Sequence, residues 1–185
     1  MPGFVIHIAI AKEYERKHKN EIKNTEEFIK GAIAPDYISI TNPNENKNKT
    51  HYGIWGDWTS DNQEIHLNEF LEDKKVNLNT DYWKGYFIHL LSDHYFSEKY
   101  FKQEIYNAKK NKEKLYNDYD CLNKELLKKY NIEVLEETKK YMNCFNQKPK
   151  YLEINKVEKF IEDMSNINLK EQEQLIRQKG MEGIK

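Results

Sequence analysis

A chain of 185 residues is long enough for one domain with a single substantial core. A third of it is charged and its mean hydropathy is −0.99, yet its 30 basic and 31 acidic residues nearly cancel. That balance argues against broad electrostatic binding to nucleic acid or anionic membrane, and no run approaches the ~20 apolar residues of a membrane span.

With seven glycines, four prolines, no sustained apolar–polar alternation and no Asn-Gly or Asp-Gly turn, the pattern is all-α. There is no internal repeat and no dividing linker, so residues 1–185 form one multi-helix domain. The opening "MPGFVIHIAIAKEYERK" has a short apolar run but no basic leading segment and no small-residue cleavage site, so it does not read as a signal peptide. Cys121 and Cys144 could form one disulfide, but they read rather as two reduced thiols, and the expected location is the cytoplasm.

A first helix is predicted from about Phe4 to Lys19. A second starts at Asn24 or Thr25, with Glu27 in capping-box spacing, and ends near Ala34 because Pro35 follows, leaving Asp36 just past its end. Residues 37–62 read as a long loop, a length that is often functional. A short helix over 64–73 precedes the main helix, capped by Asn79 or Thr80 and running from Asp81 to about Ala108. After a charged turn, helices are expected over 117–130, 133–145, 154–164 and 168–178. Those from 133 onward would pack on a site built from residues 1–120.

The main helix carries the chemistry. Gly85, His89 and Asp93 lie four apart on one face, and an imidazole and a carboxylate at that spacing chelate a metal without bending the helix. A glycine in a helix costs about 1 kcal/mol relative to alanine, so Gly85 serves either close backbone approach or room beside something bound. A lone His-x-x-x-Asp arises often by chance, and a helix-surface hydrogen bond explains it as well. Three more residues strengthen the metal reading: His7 in the apolar face of the first helix, Asp36 in "GAIAPD", and His51 in the long loop. Trp55 and Trp58 beside His51 are candidates for a pocket wall, as is Gly85. The remaining aromatics, from Tyr82 to Phe101, read as core. His94 is assigned beside the site or at the surface, His66 to an exposed helix face and His18 to solvent.

The ordered set of His7, "FIKGAIAPD" (Phe28 to Asp36), "THYG" (Thr50 to Gly53) and "GYFIHLLSD" (Gly85 to Asp93) resembles the zinc-dependent phospholipase C family over residues 1–100. That family is all-helical and related to zinc-dependent single-strand nucleases. The resemblance implies a four-ligand site of Asp36, His51, His89 and Asp93, with Asp93 bridging to a second ion served by His7. Family members complete three zinc sites with later histidines, a His-x-x-x-Glu and the mature N-terminal residue, whereas this chain has no histidine after His94. Asp118 or Asp120, with Asp118 preferred, would stand in for part of that set, the other reading being that both only charge a helix N-terminus. Zinc is the expected ion, one or two of them, with Mn²⁺, Fe or Mg²⁺ as alternatives if carboxylates dominate. The implied activity is hydrolysis of a small phosphoester or a phospholipid by metal-activated water, with Asp93 in the catalytic set and Asp36 a candidate general base. The alternative is a non-catalytic helical binding protein with a structural metal.

Overall fold

The computed structural model describes residues 2–42, 44–54, 64–108, 111–133 and 148–182. The protein is mostly helical, as the sequence pattern predicts. Helix α1 (Phe4–Lys17) buries Val5, Ile6, Ala9, Ile10 and Tyr14, a 3.6-residue stripe, and ends on Arg16 and Lys17, favourable at a helix C-terminus. Helix α2 (Thr25–Thr41) starts at Asn24, whose side chain accepts from the Glu27 N–H at 3.1 Å.

The expected stop at Pro35 does not occur. Helix α2 runs through it, so Asp36 lies within a helical turn rather than beyond one. The proline removes one ladder hydrogen bond, and burial of Ala34, Pro35 and Asp36 offsets that cost. The described part of the expected long loop carries regular structure. It holds the end of α2, the single turn α3 (Lys47–Thr50) and β1 (Gly53–Ile54), which pairs antiparallel with β2 (Glu64–Ile65) at the start of the expected 64–73 helix. Helix α4 (Leu67–Glu72) follows.

Helix α5 (Asp81–Tyr95) is shorter than expected, because a π-turn over Phe96–Tyr100 interrupts it before α6 (Lys102–Ala108). The wider turn lets residues five apart stack. Phe96 and Phe101 lie 4.3 Å apart between ring centroids, both fully buried and packed with Phe160. Helix α7 (Lys112–Lys129) starts earlier than predicted. The helix expected over 133–145 falls, but for its first residue, outside the described residues. Helices α8 (Ile154–Ser165) and α9 (Leu169–Glu182) match the last two expectations closely. Helix α1 packs on α2, α5, α7 and α8, so both ends of the chain share one core.

Helices α2 and α5 make the most extensive contact among the described residues. A Cβ on Gly85 would sit 2.0 Å from the Phe28 carbonyl oxygen, and one on Gly31 would sit 1.9 Å from that of Tyr82. Two glycines thus let the helix backbones touch at the crossing. This corrects Gly85 as a pocket wall: the space beside it is filled by α2, and its use is close approach.

Cys121 is disulfide-bonded, which overturns the expectation of reduced thiols. The only other cysteine, Cys144, lies outside the described residues. Disulfides persist in oxidising compartments, so one support for a cytoplasmic location is removed. No helix among the described residues is long and apolar enough to cross a membrane.

Candidate metal centre

The crossing of α2 and α5 sets the site. Because the backbones touch, His89 on α5 reaches the Ala32 carbonyl on α2 with Nδ1, at 2.7 Å. A carbonyl only accepts, so His89 Nδ1 carries the proton and Nε2 faces inward. His7 repeats the arrangement from α1. Its Nδ1 lies 3.0 Å from Ser92 Oγ, and that hydroxyl donates its only proton to the His89 carbonyl at 2.8 Å. His7 Nδ1–H is therefore the donor. His51 follows α3, with Nδ1 2.9 Å from Thr50 Oγ1, a hydroxyl that itself donates to the Asn46 carbonyl at 3.3 Å. All three imidazoles are held by Nδ1, and all three Nε2 atoms converge, as metal-ligating histidines require.

Two carboxylates face them. Asp93 Oδ2 is 3.4 Å from His89 Nε2 and 3.5 Å from His51 Nε2, and Asp36 Oδ1 is 3.4 Å from His51 Nε2. The His89 and His51 Nε2 atoms are 3.4 Å apart. On the other side, Asp93 Oδ1 lies 3.3 Å from His7 Nε2, and the His7 and His89 rings stack at 3.7 Å. These separations are long for charge-assisted hydrogen bonds. They match neighbouring ligands around a shared ion, since ligands ~2.1 Å from a tetrahedral centre lie ~3.4 Å apart. An octahedral centre of the same radius would set adjacent ligands ~3.0 Å apart.

The cluster is buried. His51 and Asp93 are fully enclosed, His89 and His7 nearly so, and Asp36 alone reaches the surface, at 8%. His7 Nε2 and both oxygens of Asp93 have no hydrogen-bond partner. Burial pushes His7 down to about 4, aided by the charge of His89, against the opposing pull of Asp93. Burial also lowers His51. For His89 burial is outweighed by the nearby negative charge of Asp93, which raises it. Burial would raise both carboxyls, but the imidazoles hold Asp36 and Asp93 well below the usual range. A neutral His7 thus presents a lone pair to a carboxylate oxygen, and an unpaired polar contact of this kind in the interior costs free energy that a cation would recover. Lys47 Nζ lies at the rim, 3.3 Å from Asp36 Oδ1.

Two overlapping donor sets result, His7–His89–Asp93 and Asp36–His51–His89. The buried His/Asp groups can hold a metal ion. Asp118 is not among them. Its carboxylate accepts from the backbone N–H groups of Lys150, Tyr151 and Leu152 at 2.8, 2.6 and 3.0 Å, and so fixes the chain leading into α8. This corrects the expectation that it completes the metal set. Asp120 is half-buried and absent from both sets. Trp55 and Trp58 lie outside the described residues. His94 is half-buried and lines a cleft of about 630 Å³ with α4 and α9. His66 caps α4 and pairs with Glu69 at 2.9 Å, while His18 stacks on Tyr14 at 4.1 Å and reaches the Ser165 carbonyl at 3.2 Å.

The orienting partners Ser92, Thr50 and Ala32 and the rim lysine Lys47 were missed by sequence reasoning. Ser92 carried a signal: it is a hydroxyl within "IHLLSD", a stretch otherwise apolar apart from His89 and Asp93. No family model matches the chain, and comparison with curated proteins and with solved structures gives no match. What fold and site define together is a helical protein with a convergent, buried cluster of three histidines and two aspartates.

Proposed function

We propose that this chain is a metal-dependent hydrolase of phosphate esters, phospholipase C-like in fold and in the first half of its metal site. One observation carries the reading. His7 Nε2 and Asp93 Oδ1 and Oδ2 are buried without hydrogen-bond partners, amid ligand separations of 3.4 to 3.5 Å that suit a shared cation. Asp36, His51, His89 and Asp93 would hold one ion, and Asp93 with His7 would hold a second. Three imidazole nitrogens favour Zn²⁺ over Mg²⁺, with Fe and Mn²⁺ the next candidates. Bound there, such ions supply an acidified water and neutralise charge developing on a phosphoryl oxygen. The chain's own residues do the rest. Ala32, Ser92 and Thr50 fix the three tautomers, and Asp36, the single ligand at the surface, is the group beside which a proton would be exchanged. The order of His7, "FIKGAIAPD", "THYG" and "GYFIHLLSD" supports the phosphoester class over other metal-dependent hydrolyses.

A structural metal is the second reading, and near-complete burial of four of the five ligands favours it. Elemental analysis of protein purified without added metal, beside a His89→Ala, Asp93→Ala variant, separates the two when paired with hydrolysis of a simple aryl phosphodiester. Two equivalents of metal, lost in the variant together with turnover, are expected for the hydrolase. One tight equivalent without turnover selects the structural reading, and no metal above the variant's level overturns both.

A further inference from the structure

We propose that Lys47 is the anion-binding residue of this centre, its ammonium holding a non-bridging phosphoryl oxygen of the substrate. The inference rests on the hydrolase reading and deepens it by naming the charged group that the site selects. Among the five site residues only Asp36 is open to the surface, so the approach to the cluster passes Asp36. Lys47 stands there, half-exposed, with Nζ 3.3 Å from Asp36 Oδ1.

The same carboxylate oxygen is 3.4 Å from His51 Nε2, so it faces the interior of the cluster as well as the lysine. An ion held by Asp36 would take lone-pair density from that oxygen and put a second positive charge beside the ammonium. Two cations side by side at the rim repel, and an anion lying between them removes the repulsion. A phosphoryl group meets that need, because one oxygen can face the ion while another accepts from an N–H of Lys47.

The ammonium is also carried on a fixed base. Lys47 opens α3, Asn46 caps that turn through the Lys49 N–H at 3.1 Å, and the His51 N–H returns to the Lys47 carbonyl at 2.9 Å. Tyr86 of α5 donates to the carbonyl of Thr50. The lysine and the ligand His51 therefore move as one unit, positioned against α5. A neutral ester offers nothing to this ammonium; a phosphomonoester or phosphodiester does.

The test uses cobalt-loaded wild type, Lys47→Gln and Lys47→Arg, with inorganic phosphate as the probe, followed by the visible absorption of bound cobalt and by calorimetry. Metal content is measured on the same samples. Lys47→Gln is expected to bind cobalt in the wild-type amount and to weaken phosphate at least about tenfold, with Lys47→Arg recovering most of the affinity. Equal phosphate affinity in wild type and Lys47→Gln overturns the proposal, as does loss of cobalt from Lys47→Gln or cobalt-loaded wild type that ignores phosphate. Wild type that binds no cobalt gives a different failure, that of the metal centre itself, and removes the proposal with it.

Discussion

Asp93 and Asp118 are the same residue, each wholly buried on a helix, in two regions of one core. Around Asp118 three backbone N–H groups converge on the carboxylate and satisfy it within the chain. Around Asp93 the neighbours are imidazole nitrogens turned so that lone pairs face it, and neither oxygen has a hydrogen-bond partner. A buried carboxylate that completes a fold brings its donors with it, whereas one faced by acceptors has the surroundings a cation would require. The donor count, more than burial or residue type, separates Asp118 from Asp93.

The largest expected effect breaks that contrast directly. Asp93→Asn removes the carboxylate that faces His7 through Oδ1 and His51 and His89 through Oδ2, and metal retention should fall by more than about 100-fold, beyond the range seen for orienting residues. The same exchange at Asp118 replaces one acceptor oxygen by a donor facing N–H groups; it should leave metal content unchanged and cost about 2 kcal/mol of stability by urea melt. Equal metal content in the two variants would end the comparison. Next in size is Gly85→Ala. Its Cβ would meet α2 backbone at 2.0 Å, so the helices must part, at a cost of about 3 kcal/mol. That separation also lengthens the His89–Ala32 bond, so metal affinity should fall along with the melting temperature.

Acid sharpens the contrast in the metal-free protein. His7 sits at about 4 against an ordinary 6.5, and His51 is lowered too. Between pH 6.5 and about 4 the unfolded chain therefore binds more protons than the folded one, so stability falls as the pH drops through that window. His89, raised, acts above 6.5 and in the opposite sense, contributing stability that is lost as the pH rises. For His7 the loss is on the order of 3 kcal/mol. Melts in chelator at pH 7 and pH 4 should show it, and His7→Asn should shrink it.

The five clustered residues were legible in the sequence because their signal is local. His89 and Asp93 share a helix face by spacing alone, and His7, Asp36 and His51 are polar intrusions in otherwise apolar or irregular stretches. The boundary at Pro35 was misread because a local rule, proline as a helix stop, lost to packing of α2 against α5. Asp118 was misassigned for a related reason: its donors lie 32 to 34 residues away, at Lys150 to Leu152, and nothing in "YNDYDCLN" announces them. The π-turn was hidden because aromatics five apart fit no helical stripe. Gly85 showed that a glycine was needed, but only the helix crossing decides between close approach and an open pocket.

The smallest effect probes the orienting groups that the sequence did not reveal. Ser92 spends its proton on the His89 carbonyl and accepts from His7 Nδ1–H, so one hydroxyl sets a tautomer on α1 from α5. Ser92→Ala leaves every ligand in place. It frees His7 to carry its proton on Nε2, where it can bond to Asp93 Oδ1 and close the second site against a cation. Affinity for the second equivalent of metal should drop about tenfold while the first equivalent, held by Asp36, His51 and His89 with Asp93, stays near wild type. Stepwise metal titration resolves the two. If both equivalents weaken equally, His7 and His51 belong to one site rather than two, and Asp93 does not bridge.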